Sequence, residues 1–152
     1  MTIIAVGSDH AGFHLKELLA EDLRSAGQEI VDLGTHSDGR VDYPDFGAAV
    51  GRAVETGEVE LGLCVCGSGI GIGIAANKVP GVRAATVHDV TSARLAREYN
   101  DANVICLGER LVGAEVAKDA VHAFLAASFE GGRHTARVAK IDALLPTGLE
   151  PT

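Results

Sequence analysis

Tryptophan is absent from the 152 residues, and aromatic residues make up only 4% of them. Ala, Val, Leu and Ile must therefore fill the core, as is usual where helices pack on a parallel sheet. Positive charge is also scarce: 13 Lys and Arg stand against 21 Asp and Glu, a net charge of −8. Such a chain does not attract nucleic acid or anionic lipid as a whole, so neither is an expected partner. An anionic substrate would need a local basic site. No apolar run approaches the roughly 20 residues needed to span a bilayer. The chain runs straight into a strand-like MTIIAVGS, which predicts no signal peptide. Cysteine is limited to Cys64, Cys66 and Cys106, an odd number in apolar surroundings. That argues for reduced thiols in a cytoplasmic compartment. The Cys64-x-Cys66 spacing lacks a second ligand pair, so no metal is expected.

Hydrophobic residues reach 47%, charged residues 22%, and glycines number 19, a soluble globular composition. The length suits a single domain spanning residues 1–152, large enough to bury about 70% of its unfolded surface. Strands are predicted at Ile3–Gly7, Glu29–Leu33, Leu61–Cys66, Arg83–Val87 and Asn103–Leu107. Helical spacing follows each: Leu15, Leu18, Leu19 and Leu23 up to Gly27; Phe46, Ala49, Val50, Ala53 and Val54 after Pro44; the stretch after GSGIGIGIAANK; Ala93, Leu95 and Ala96; Val116, Ala120, Val121 and Phe124. Five alternations of strand and helix predict an α/β fold: a three-layer α/β/α sandwich, Rossmann-like, on a five-stranded parallel sheet. An extra helix is expected at about 133–145, with Val138, Ile141 and Leu145 in helical register. Its stripe has no place left on the sandwich, which suggests a subunit interface.

Ligands of open parallel sheets bind beyond the carboxyl ends of the strands. Those ends read Ser8-Asp9-His10, Cys66-Gly67-Ser68-Gly69-Ile70-Gly71, His88-Asp89 and Gly108-Glu109-Arg110. The glycine loop is neither a Walker A motif nor G-x-G-x-x-G. It suits an anion held by backbone N–H groups, or merely a tight turn. Cys66, where strand meets helix N-terminus, suits a thiolate base or nucleophile, or a small buried residue. Asp9 and His10 suit an acid/base pair, or a helix cap with a bystander. Arg133 and Arg137 share a helix face, with His134 adjacent and Arg110 ending the fifth strand. They suit bidentate phosphate binding, or a solvated surface.

The motifs GSDHAGFHLK, VDYPDF, CGSGIGIGIAANKVPGVRA, REYNDANVICLGERLVG and EGGRHTARV together resemble the ribose-5-phosphate isomerase B / galactose-6-phosphate isomerase family, up to about Leu145. The resemblance implies a cofactor-free aldose–ketose isomerase of a small phosphorylated sugar, a homodimer or tetramer with active sites between subunits. It makes Cys66 the base, with Ser68, Tyr99 and Asp9 in the catalytic set. It assigns substrate contacts to Asp9, His10, Gly67, Ser68, Gly69, Ile70, Gly71 and Asn100, and the phosphate to Arg110, Arg133 and Arg137 beside His134. Cys66 together with Ile72 points to the family's cysteine branch. Ribose 5-phosphate to ribulose 5-phosphate is the leading expectation. The family motif has His where this chain has Tyr99, and that His is thought to open the furanose ring. Either Tyr99 or His134 does this work here, or the substrate has no ring to open, as with erythrose 4-phosphate and erythrulose 4-phosphate. The residues also leave room for a galactose or allose 6-phosphate isomerase and for a non-catalytic phosphosugar-binding module.

Overall fold

A computed structural model describes residues 1–144; Leu145, expected to close the last apolar stripe, lies outside them. The chain alternates β1 (Ile3–Ser8), a 3₁₀ turn (His10–Gly12), α1 (Phe13–Ser25), β2 (Glu29–Asp32), α2 (Tyr43–Glu55), β3 (Leu61–Cys66) and α3 (Ile70–Ala76). It continues through β4 (Ala84–Thr86), α4 (Val90–Asn100), β5 (Val104–Gly108), α5 (Ala114–Ala126) and α6 (Arg133–Asp142). All strand pairs are parallel, in the order β2-β1-β3-β5-β4. The expected sandwich and its extra C-terminal helix are both present. Among the described residues no helix is long and apolar enough to cross a membrane.

Side chains alternate across a strand, so each strand feeds two cores. Ile4, Val6, Leu63, Val65, Ile105 and Leu107 pack beneath α1, α4 and α5, against Leu15, Leu19, Leu23, Ala93 and Phe124. Ala5, Cys64, Cys66, Val104 and Cys106 face α2 and α3, against Val50, Ala53, Ile72 and Ala76. All three cysteines therefore share one face. Leu18 and Val116, expected in apolar stripes, are 37% and 44% exposed: the buried α1 row is Leu15–Leu19–Leu23, and Leu18 falls beside it. Phe124 is the largest apolar side chain buried essentially completely. Its truncation to alanine is expected to cost about 3–5 kcal/mol.

From β1 the chain crosses to one edge to form β2, then returns past β1 to place β3 on its other side. The crossovers diverge between β1 and β3, which opens a crevice at their carboxyl ends. Helices α1 to α5 run back antiparallel to the strands. Their N-termini thus gather at the carboxyl edge of the sheet, and their C-termini at the opposite edge.

Candidate active site

A cavity of about 470 Å³ opens at that crevice, within the range of small-molecule sites. It is lined by Asp9, His10, Ala11, Tyr43, Cys66, Gly67, Ser68, Ile70, Gly71, Arg110 and Leu111. Cys66 is buried at the end of β3, and its Sγ accepts a hydrogen bond of 3.1 Å from the Gly69 N–H. A thiolate accepts such a bond more strongly than a thiol does. The turn needs glycine at 69: φ is +75°, and a Cβ there would lie 2.8 Å from the Leu107 carbonyl carbon. Ser68 Oγ accepts from the Ile70 N–H at 3.2 Å. The amides of Gly69 and Ile70 thus already have local acceptors. Gly71 lies in the first turn of α3, where N–H groups find no partner within the helix.

The other two cysteines differ sharply. Cys64 and Cys106 pair across β3 and β5 and are fully buried. The hydrogen bond with Cys106 and complete burial push the Cys64 thiol well above the ordinary range, so it stays protonated. Only Cys66 of the three reaches the cavity.

Asp9 both caps the 3₁₀ turn, accepting from the Gly12 N–H at 3.0 Å, and lines the cavity. His10 Nδ1 lies 3.2 Å from both the N and the O of Val41, so the irregular segment before α2 fixes its ring. Arg110 follows β5, with a guanidinium nitrogen 3.3 Å from where a Gly67 side chain would begin. Its exposed charge is the basic element that an acidic chain needs to draw in an anion. Tyr43 is a cavity residue that sequence reasoning misses. The available signal is Pro44 in the first turn of α2: a helix start in this fold lies at the carboxyl edge, so its first residue faces the crevice.

Tyr99, Asn100, Arg133, His134 and Arg137 do not line this cavity. Tyr99 and Asn100 end α4, whose 11 residues carry them about 16 Å from the carboxyl edge. They form a second cluster with the start of α6. The Tyr99 and His134 rings stack at 4.6 Å and 14°, and the Arg133 guanidinium sits 5.9 Å from the Tyr99 centroid. The connection before α6 is tied down where the Glu130 N–H donates to the Glu98 carbonyl at 2.9 Å. His134 is buried, its Nε2 has no hydrogen-bond partner, and Glu130 Oε2 lies 3.7 Å away. Asn100 borders a separate cavity of about 440 Å³ beside the segment 77–85.

Comparison with known proteins gives this geometry its context. The ribose/galactose isomerase family matches residues 4–141. Ribose-5-phosphate isomerase B of Escherichia coli is 48% identical over 144 residues, 95% of this chain and 97% of that one. D-erythrulose-4-phosphate isomerase of Pectobacterium atrosepticum is 42% identical, covering 93% of each chain. The solved structure of Clostridium thermocellum ribose-5-phosphate isomerase B superposes with a TM-score of 0.93 at 51% identity, covering 93% of this chain and 96% of that one.

Proposed function

This chain belongs to the ribose/galactose isomerase family, and from that we propose that it interconverts ribose 5-phosphate and ribulose 5-phosphate through an enediolate, with Cys66 moving the proton. The carrying observation is the cavity in which Cys66 Sγ, the glycine turn and Arg110 face one another. In the forward direction the Cys66 thiolate takes the proton from C2 of the open-chain aldose. Electrons shift to give an enediolate with its charge on O1. The same sulfur returns the proton to C1, while a proton passes from O2 to O1. The Gly71 amide stabilises the charge as it develops, typically worth about 3–4 kcal/mol for a well-placed donor. Asp9, Ser68 and Tyr99 complete the catalytic set. His10, Asn100 and the loop hold the sugar, and Arg110, Arg133 and Arg137 the phosphate, with His134 beside them.

Two clusters at opposite edges of one sheet cannot meet on one substrate within a single chain. A second copy related by a two-fold axis brings the Tyr99–Arg137 cluster of each chain to the Cys66 cavity of the other, giving two equal sites. The exposed Ile70 and Ile74, one turn apart on α3 at the cavity mouth, support burial there, as does the exposed Ile141 on α6. The working unit is therefore a homodimer, alone or within a tetramer. Three unpaired cysteines support a reducing, cytoplasmic setting.

One observation favours a second reading. Tyr99 stands where the family pattern has a ring-opening His, and a phenol is a poorer proton shuttle at neutral pH than an imidazole. An aldose 4-phosphate of four carbons cannot close a furanose, because its phosphate occupies the ring oxygen. Side-by-side assays of four-, five- and six-carbon aldose phosphates, with solvent deuterium uptake at C2, decide between the readings. Turnover of the tetrose alone replaces the first by the second. Absence of deuterium from every sugar removes both and leaves a binding module.

A further inference from the structure

Helix α1 begins without a cap of its own. Its N-cap is Gly12, and its first turn carries no acidic residue. The free N–H groups of that turn therefore lack the side-chain acceptor that helix starts usually have. A larger residue does not fit: a Cβ on Gly12 would lie 2.5 Å from the carbonyl carbon and oxygen of Val65 on β3. The acceptor comes instead from a position 94 residues away. There the Glu109 carboxylate takes a hydrogen bond of 2.5 Å from the Leu15 N–H. A negative group at that point also meets the positive end of the helix dipole.

Glu109 is tied on its other sides as well. Its own N–H donates to the Cys66 carbonyl at 3.0 Å, and the next N–H, that of Arg110, donates to the Gly67 carbonyl at 3.0 Å. One residue therefore joins three walls of the cavity: the helix below Asp9 and His10, the strand end that carries Cys66, and the turn that carries Arg110. Glu109 does not itself line the cavity. Arg110 is exposed, so the placement of its backbone decides where its guanidinium can reach.

We propose that Glu109 is a positioning residue that sets Arg110 over the cavity by clamping the Gly108–Leu111 turn to α1, and so governs the affinity for the phosphate of the substrate. This rests on the reading of Arg110 as a phosphate ligand. A helix cap with no such role lowers stability when lost but leaves phosphate affinity alone.

The test uses the full-length protein with Glu109→Ala and Glu109→Gln. Two quantities are read: steady-state kinetics with ribose 5-phosphate, and binding of inorganic phosphate by calorimetry without turnover. For Glu109→Ala, KM and the phosphate Kd are expected to rise together by about tenfold, the scale of one charge-assisted hydrogen bond. Turnover is expected to fall less than about threefold, the pattern of lost ground-state binding. Glu109→Gln keeps an acceptor oxygen and is expected to restore most of both. Where the alanine variant does not fold, Glu109→Asp, one methylene shorter, is read in the same way. Unchanged phosphate affinity with a lower Tm overturns the proposal, and so does a loss confined to kcat. A wild-type protein that binds phosphate but turns over no ribose 5-phosphate defeats the isomerase reading, and the calorimetry still judges Glu109.

Discussion

The cluster around Cys66 and the cluster around Tyr99 are built in different ways. The first stands on the ends of three adjacent strands and is cross-tied by backbone. The Asp9 N–H donates to the Val65 carbonyl at 3.3 Å, and the Glu109 N–H to that of Cys66 at 3.0 Å. The second stands on helix surfaces. Only His134 and Val138 of α6 are buried. That helix is held by the Tyr99–His134 stack, the bond from Glu130 to Glu98, and an ion pair of 3.1 Å from Arg83 to Asp142. Proton transfer needs reacting atoms placed to within tenths of an ångström, which strand ends tied together by backbone hydrogen bonds provide. Recognition of a phosphate by long arginines tolerates a looser mount. On the proposed reading the difference is a division of labour: the sheet edge would carry the carbon-proton transfer, and the helix face of a neighbouring copy would complete the site with Tyr99 and two of the phosphate-holding arginines.

The most severe break in that division is Cys66→Ala. With the base gone, turnover of ribose 5-phosphate is expected to drop by about 10²–10⁴-fold, the range for a general acid/base group. Phosphate binding stays close to wild type, because no phosphate ligand has changed. Retained turnover would falsify the assignment of the base to the sheet edge.

Next comes the assembly itself. Arg137→Ala is expected to lower kcat/KM by about 10–100-fold, as for loss of one charged hydrogen-bonding partner. Mixing Cys66→Ala and Arg137→Ala subunits, unfolded together and refolded, sharpens the comparison. Half of the resulting dimers are hybrids, each with one intact site, so activity is expected to recover to about a quarter of wild type. Two variants that stay as inactive together as apart place both clusters in one chain's site and break the two-subunit reading.

The two clusters are also unequally legible in the sequence. The strand ends are readable because continuous apolar runs, buried on both faces, stop where glycine and polar residues begin, so Asp9, His10, Cys66 and Arg110 fall on one edge from pattern alone. β4 is shorter than its run, at Ala84–Thr86, since an edge strand loses pairing at both ends. The Tyr99 cluster has no such signal. Nothing local distinguishes Arg133 and Arg137 from two solvated arginines, and only the family resemblance links them to Cys66. The distance of Tyr99 and Asn100 from Cys66 follows from the direction of α4, which the element order already implies. Tyr99 stacked on His134 is not foreseeable, because it depends on how α6 returns to α4.

Tyr99→His probes the helix side without touching the base. Restoring an imidazole is expected to raise turnover of ribose 5-phosphate about tenfold relative to erythrose 4-phosphate, within the reach of one proton-transfer group. Paired kcat/KM values for the two sugars measure it. An unchanged ratio means that ring opening does not depend on this position.

The smallest effect on activity is expected at Asp32, which acts on the sheet side through stability. Lys16 is wholly buried, its Nζ 2.8 Å and 3.0 Å from the two Asp32 oxygens and 2.7 Å from the Thr35 carbonyl. This pins to α1 the root of the segment whose Val41 holds His10. Burial works to raise the Asp32 pKa, but the Lys16 hydrogen bond, the Gly34 N–H and the positive charge nearby outweigh it, and the carboxyl sits below its usual range. A folded pKa below the unfolded one contributes stability at pH values above the unfolded pKa, near 3.9, and loses it as pH falls through the folded value. Wild-type Tm is therefore expected to decline below about pH 4 with a share that Asp32→Asn removes. At pH 7 the Asn variant should be less stable by about 1–3 kcal/mol, since it replaces charge-assisted bonds to a buried ammonium with a weaker one. Thermal melts of both proteins from pH 7 down to pH 3 check the sign. Parallel curves mean that the pair adds nothing that depends on protonation, and that the stiffness of the sheet side comes from its backbone ties alone.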